Sequence, residues 1–198
     1  MTAQVKDTCF HREISFEIVA VAGVGLLGVI ELESLGVRPI PDCTACWRGY
    51  VAYYHILDGQ LVLTRLHVDL SPDDAILARA GRGTELFGVS PAEDELVPGF
   101  LYQGFELPVA FTGGLLLGDE FIWKSQDHRG HPLPWQYQNM RTVIFENGQV
   151  VADVDRSTEA AAVRTRLLEK LQGSREPFGK YFSRQLKTWP KKYLIRKS

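Results

Sequence analysis

Cys43-Thr44-Ala45-Cys46 is the pattern with the most chemical reach in this chain. Two thiols three positions apart in a tight turn can hold a zinc ion or close on each other, and Pro41 leads into such a turn. With Cys9 and His11 upstream they complete a Cys₃His donor set, the one composition here able to build a tetrahedral zinc site. Cys9-x-His11 is an unusual half-site near the start of the sequence, so free thiols are the plainer reading. A redox pair is weaker, because no helix start follows Cys43 to lower its pKa. A second candidate is Asp127-His128-Arg129-Gly130-His131. There His128 and His131 could hold a metal or supply a general base, or simply belong to a solvated connector. Trp47, Arg48 and Tyr50 follow the thiols and are the distinctive binding candidates. Their structural reading is a core tryptophan beside an arginine that satisfies buried carbonyls or a carboxylate. His55 and His67 read as half-buried, hydrogen-bonded histidines, and Glu93-Asp94-Glu95 as a solvated loop face.

Gly23-Val24-Gly25-Leu26-Leu27-Gly28 has dinucleotide-motif spacing. The glycine and prolines at 36, 39 and 41 arrive before the helix and acidic-tipped strand that the motif requires, so a glycine-rich β-turn is preferred and no cofactor is expected beyond the zinc alternative. Nucleophile-elbow, P-loop, H-E-x-x-H and calcium-loop patterns are absent. The net charge of −2 hides an asymmetry. Residues 177–198 carry seven basic and no acidic residues, which leaves 15 Lys/Arg against 24 Asp/Glu in residues 1–176, a net of −9. The tail interleaves Phe178, Tyr181, Phe182, Trp189 and Tyr193 with its cations, which suits RNA, but the acidic body opposes phosphate at range. Docking of the tail on the body or on a protein partner is favoured.

The elements that must position these groups are mainly β. The turn pair Asp58-Gly59 predicts a hairpin with Leu57 facing Gln60, Ile56 facing Leu61, His55 facing Val62, Tyr54 facing Leu63 and Tyr53 facing Thr64. That register puts Tyr54, Ile56, Leu61 and Leu63 on one face and Val51, Val62 and Leu66 on the other. Two apolar faces place the hairpin centrally in a sheet. Residues 13–33 read as two strands joined at Gly23-Val24-Gly25. Ser71-Pro72-Asp73-Asp74 starts a short helix, followed by an irregular section to residue 100. Strands are expected over 103–111 and 114–123. A second hairpin turns at Asn147-Gly148, with Ile144 facing Val151 and Phe145 facing Val150. Ser157 begins a helix to about Gln172, with a stripe through Ala161, Val163, Leu167, Leu168 and Leu171. The expected fold is α+β: an antiparallel sandwich or open barrel built from hairpins, with one or two C-terminal helices. Residues 1–155 form the β-rich domain, and 156–198 a helical, basic appendage packed on it. The apolar run 18–30 is too short for a bilayer and has acidic flanks, so a cytoplasmic protein without membrane contact is expected.

Thr44-Ala45-Cys46-Trp47-Arg48-Gly49-Tyr50 followed by a strand and Asp58-Gly59 resembles a family of small uncharacterised bacterial proteins with a T-A-C-W-R-G-Y stretch before a hairpin. Residues 104–121 and 143–151 resemble that family's later segments, so the likeness spans roughly 15–155. Phe111 and the insert 71–100 depart from the pattern. The resemblance implies a bacterial, β-rich domain and carries no activity. The function expected is a non-catalytic protein-binding role, such as immunity or accessory protein, with a basic partner for the acidic body. The alternatives are a metal protein or enzyme using Cys43/Cys46 or His128/His131, and an RNA-associated module using residues 177–198.

Overall fold

The computed structural model describes residues 4–41, 43–122 and 133–173. Nine strands form one sheet: β1 (Thr8–His11), β2 (Ile14–Val24), β3 (Tyr50–Leu57), β4 (Gln60–Val68), β5 (Ala92–Glu93), β6 (Phe100–Pro108), β7 (Thr112–Phe121), β8 (Tyr137–Glu146) and β9 (Gln149–Asp155). Among the described residues three α-helices accompany them: α1 (Val29–Ser34), α2 (Pro72–Arg79) and α3 (Ser157–Gly173). The spatial order is β3-β1-β2-β7-β8-β9-β4-β6-β5, and β3 also pairs with β4, so the sheet closes in a ring. Closure between β4 and β9 rests on one pair, Gln60 with Gln149. Backbone bonds from Leu61 N–H to Gly148 O (2.8 Å) and from Val150 N–H to Gly59 O (2.8 Å) reinforce it. All pairings are antiparallel except β1 with β3. The expected mainly β fold, a sandwich or open barrel with one or two C-terminal helices, thus takes the form of one sheet closed in a ring, with the C-terminal helix α3.

Both hairpin turns have the positive φ pair of a type I′ turn, Asp58 at 48° with Gly59 at 80°, and Asn147 at 49° with Gly148 at 80°. The first register holds from Leu57–Gln60 back to Tyr54–Leu63. It then breaks: Tyr53 faces Arg65, not Thr64. An extra residue in one strand reverses the parity beyond it. Leu66 therefore joins the interior with Leu61, Leu63 and Tyr54, where an unbroken alternation sends it outward. The second hairpin has the same device. Phe145 faces Val150, but Ile144 faces Ala152.

Residues 13–33 differ from expectation. They form one long strand, β2, and then the short helix α1. Gly23, one residue before the end of β2, pairs with Gly113 of β7, and that partner has φ +150°. A Cβ on Gly113 would lie 2.6 Å from the Gly23 Cα, so the two backbones meet at a distance only glycine allows. The first strand, β1, was not evident in the sequence; it is four residues long and turns through Arg12 and Glu13.

One core fills the ring, built from Phe16, Tyr54, Tyr102, Phe111, Leu115 and Phe145 among others. Leu116 points the opposite way from Leu115 and Leu117 and is still fully buried, with Tyr137, Met140 and Ala160. The run Leu115-Leu116-Leu117 thus serves a strand covered on both faces, the outer cover being α3. Asp155 accepts from the Ser157 N–H (2.8 Å), and Ser157 Oγ accepts from the Met140 N–H (3.1 Å), so Ser157 ties the helix start to β8. Ala160 is the fully buried residue of the first turns, one position before the expected stripe; Ala161 and Val163 are half-buried. Arg164 Nη1 donates to the carbonyls of Trp135 (2.7 Å) and Tyr137 (3.0 Å). The basic tail 177–198 lies outside the described residues.

Candidate functional site

The bulge at Thr64 decides what the outer face of the β3–β4 hairpin presents. Beyond it, Val51 pairs with His67 and Tyr53 with Arg65, and these four side chains share that face. Arg65 lies over the Tyr53 ring, 4.8 Å being the corresponding Arg48–Tyr50 distance and 4.6 Å its own.

Two loops wall this face. On one side, Asp94 accepts the Leu96 N–H (2.9 Å), and its own N–H donates to Gly99 O (3.1 Å). This Asx-type turn folds residues 94–99 back over His67. The Asp94 carboxylate is only 5% exposed, with Oδ2 3.6 Å from Arg65 Nη2 and 3.9 Å from His67 Nε2. The Leu96 N–H bond, followed by that of Val97 and by the nearby cations, outweighs desolvation and holds its carboxyl below the usual range. On the other side, the Cys46 N–H donates to Cys43 O (3.2 Å), closing the Cys-x-x-Cys turn. The N-terminal segment clasps that turn. The Val5 N–H donates to Ala45 O (2.7 Å), Gln4 Nε2 to Thr44 O (2.7 Å), and the Trp47 N–H to Gln4 Oε1 (3.0 Å).

Between the two walls lies a cleft of about 430 Å³. Val5, Val51, Tyr53, Val97 and Pro98 supply its apolar surface; Asp69, Asp94, His67 and the two cysteines supply its polar groups. Its size is that of a site for one or two side chains or a small ligand. His67 Nε2 is buried with no hydrogen-bond partner, a cost of roughly 1–3 kcal/mol unless something occupies the cleft. Each lining loop also exposes an apolar neighbour: Leu96, next to Val97, is 91% exposed, and Trp47, next to Cys46, is 62% exposed. Two carboxylates, Asp69 and Asp94, thus face the cleft, with the guanidinium of Arg65 against Asp94.

The sequence candidates are distributed as follows. Cys43 and Cys46 line the cleft. Cys9 is fully buried in the core on β1, with its thiol pushed up to about 12 by burial. His11 Nε2 bonds Asp153 Oδ2 (2.9 Å), which also receives Arg12. The four proposed zinc ligands thus do not converge, and among the described residues no group of three or more His, Cys, Asp or Glu is placed to hold a metal ion. His128 and His131 lie outside the described residues. Arg48 makes a two-pronged bond to Asp7, Nη1 to Oδ2 at 2.7 Å and Nη2 to Oδ1 at 2.9 Å, which is the carboxylate partner its structural reading called for. Tyr50 is buried; its hydroxyl donates to Leu27 O (3.2 Å) and its ring carries Arg48. Trp47 is not a core residue: its side chain is exposed, while its N–H donates to Gln4 Oε1.

Three site residues escaped the sequence reading. Asp94, which reads with its neighbours as a solvated face, has its carboxylate buried in the wall of the cleft; Pro98-Gly99 a few positions on is the local sign that the chain turns back there. Asp69 follows β4, and its backbone bonds both Gly49 (2.8 Å) and Ile40 (2.9 Å). Asp7 gave no local signal, since its partners Arg48 and Ala52 are more than 40 positions away.

Comparison with family models, with curated proteins and with solved structures found no match to this chain.

Proposed function

We propose that this is a non-catalytic binding protein and that the cleft on the outer face of β3–β4 is where it holds a partner protein. The occupant is a basic side chain, lysine or arginine, presented by that partner. Its aliphatic stem lies on Val51, Tyr53 and Val97, and its charged head meets Asp69, Asp94 and the free nitrogen of His67. The observation that carries this reading is a floor that holds the carboxylates of Asp69 and Asp94 and the unpartnered His67 Nε2, with the exposed Trp47 and Leu96 next in sequence to the lining residues Cys46 and Val97. A buried anchor pocket beside exposed tryptophan and leucine is the anatomy of a protein-docking site. The net charge of −9 over residues 1–176 favours a basic partner at range as well as at contact. An immunity or accessory role belongs to this proposal as the kind of task an acidic binding protein with a basic partner would perform; the T-A-C-W-R-G-Y resemblance adds the bacterial setting and no activity.

The test uses fragments rather than an unknown partner. Amide spectra of the full chain are recorded with Nα-acetyl-lysine methylamide, Nα-acetyl-arginine methylamide and the neutral norleucine analogue. The cationic fragments should shift Val51, His67, Asp69 and Val97 with a dissociation constant on the order of 1 mM, and norleucine should bind more weakly. Asp69→Asn should abolish the difference between lysine and norleucine. Equal binding of all three, or shifts centred away from the cleft, would refute the reading.

A further inference from the structure

The cleft has a chemical feature that binding of a basic side chain does not use: two thiols on one turn, one open and one shielded. We propose that Cys43 and Cys46 are a modification site, an internal dithiol that hydroperoxides convert to a disulfide. The turn makes the pair competent. The bond from the Cys46 N–H to Cys43 O, 3.2 Å, closes a four-residue turn. Such turns hold their end Cα atoms within about 7 Å, which overlaps the roughly 4.4–6.8 Å that a disulfide spans. Both side chains reach the same cleft. Cys43 is exposed, while Cys46 is buried and its Sγ donates to Tyr50 O (3.4 Å). Cys9 is enclosed in the core and takes no part.

The exposure difference assigns the roles. The Cys43 sulfur attacks the outer oxygen of a hydroperoxide ROOH. An S–O bond forms, the O–O bond breaks, and the alcohol ROH leaves with the thiol proton, so Cys43 becomes a sulfenic acid. The Cys46 sulfur then gives up its bond to Tyr50 and attacks the Cys43 sulfur. The S–S bond forms, the S–O bond breaks, and water leaves with the Cys46 proton. Two thiols lose two electrons in all, and the peroxide receives them. Burial, then the charge of Asp69, push the Cys46 thiol up, which fits it to the second, resolving step and not to the first.

The experiment reads thiols and is independent of what the cleft binds. The full native chain is treated with hydrogen peroxide or cumene hydroperoxide, denatured, alkylated with iodoacetamide and weighed intact and as peptides. The reduced protein takes up three alkyl groups, one per cysteine. After peroxide it should take up one, at Cys9, with the segment holding Cys43 and Cys46 lighter by two hydrogens and restored by dithiothreitol. Cys46→Ser should stop at the first step, with Cys43 captured by dimedone. Cys43→Ser should leave Cys46 fully alkylated. The proposal is overturned if wild-type Cys43 goes on to sulfinic acid while Cys46 remains alkylatable. It is equally overturned if Cys46→Ser yields no more dimedone adduct than wild type.

Discussion

Replacing Arg48 tests how far the forked pair with Asp7 holds the N-terminal wall of the cleft in place. Asp7 Oδ1 accepts from both Arg48 Nη2 and the Ala52 N–H, each at 2.9 Å, and the Asp7 carbonyl receives the Ile18 N–H at 2.8 Å. One residue thereby ties the N-terminal segment to β3 and β2. Breaking a fully buried ion pair from one side costs about 3–5 kcal/mol, and breaking an exposed one about 0–1. Here the carboxylate is 15% exposed and the guanidinium 38%, so Arg48→Met should cost roughly 2 kcal/mol, between those limits. Methionine keeps the stem over Tyr50, so the loss reports on the charge pair. In a chain of this size about 2 kcal/mol lowers the melting temperature by roughly 4–8 °C. Urea unfolding of Arg48→Met, Asp7→Asn and the double variant gives the coupling directly, expected at about 1–1.5 kcal/mol. Burial works against the charge on Arg48, but the hydrogen bonds and charge of Asp7 outweigh it and raise its pKa, so the cost should be flat through neutral pH. Additive single effects, with coupling under about 0.3 kcal/mol, would refute the argument that the pair acts as one unit.

Other sites give further expectations. Gly113→Ala should destabilise by roughly 2–4 kcal/mol in urea, because the new methyl has a left-handed φ of +150° and meets the β2 backbone at Gly23; a loss under about 1 kcal/mol would show that the strands can part. Lys6 is 7% exposed, its Nζ 3.1 Å from the Tyr137 hydroxyl, which itself donates to Glu17. Burial, opposed by Glu17, lowers its pKa from 10.5 to about 8, so between those values the unfolded chain binds more protons and stability rises with pH. Wild type should therefore gain on Lys6→Met by on the order of 3 kcal/mol from pH 8 to 10.5; the comparison with the variant removes the opposing loss from Cys9, whose raised thiol makes stability fall above pH 9. A constant difference across that window would mean that Lys6 titrates normally. Trp47→Ser should change unfolding free energy by less than about 0.5 kcal/mol, since the ring is exposed, while weakening the lysine-fragment shifts; a loss of several kcal/mol would return Trp47 to the core.

Much of the fold is legible in local patterns. Asp58-Gly59 and Asn147-Gly148 demand positive φ in a two-residue turn, and that demand is met whatever surrounds them. Ser71 before Pro72 caps α2 as its type predicts, accepting the Asp74 N–H at 3.2 Å. Where the sequence misled, the deciding term was non-local. Val29–Ser34 has β-leaning residues and still forms a helix, because tertiary packing overrides weak propensity; its Leu32 is fully buried in the main core. Thr64 carries no sign that it bulges, yet the bulge sends Leu66 inward and His67 outward.

For the Cys43–Tyr50 block, spacing alone determined a turn with two nearby thiols and an arginine in need of a carboxylate, since both follow from chain geometry and side-chain chemistry. Which carboxylate, which thiol is shielded, and that Trp47 faces solvent were decided only by the tertiary structure. Residues 4–7 and 94–99 reach this block across 40 positions or more, and no local pattern encodes where two distant loops meet.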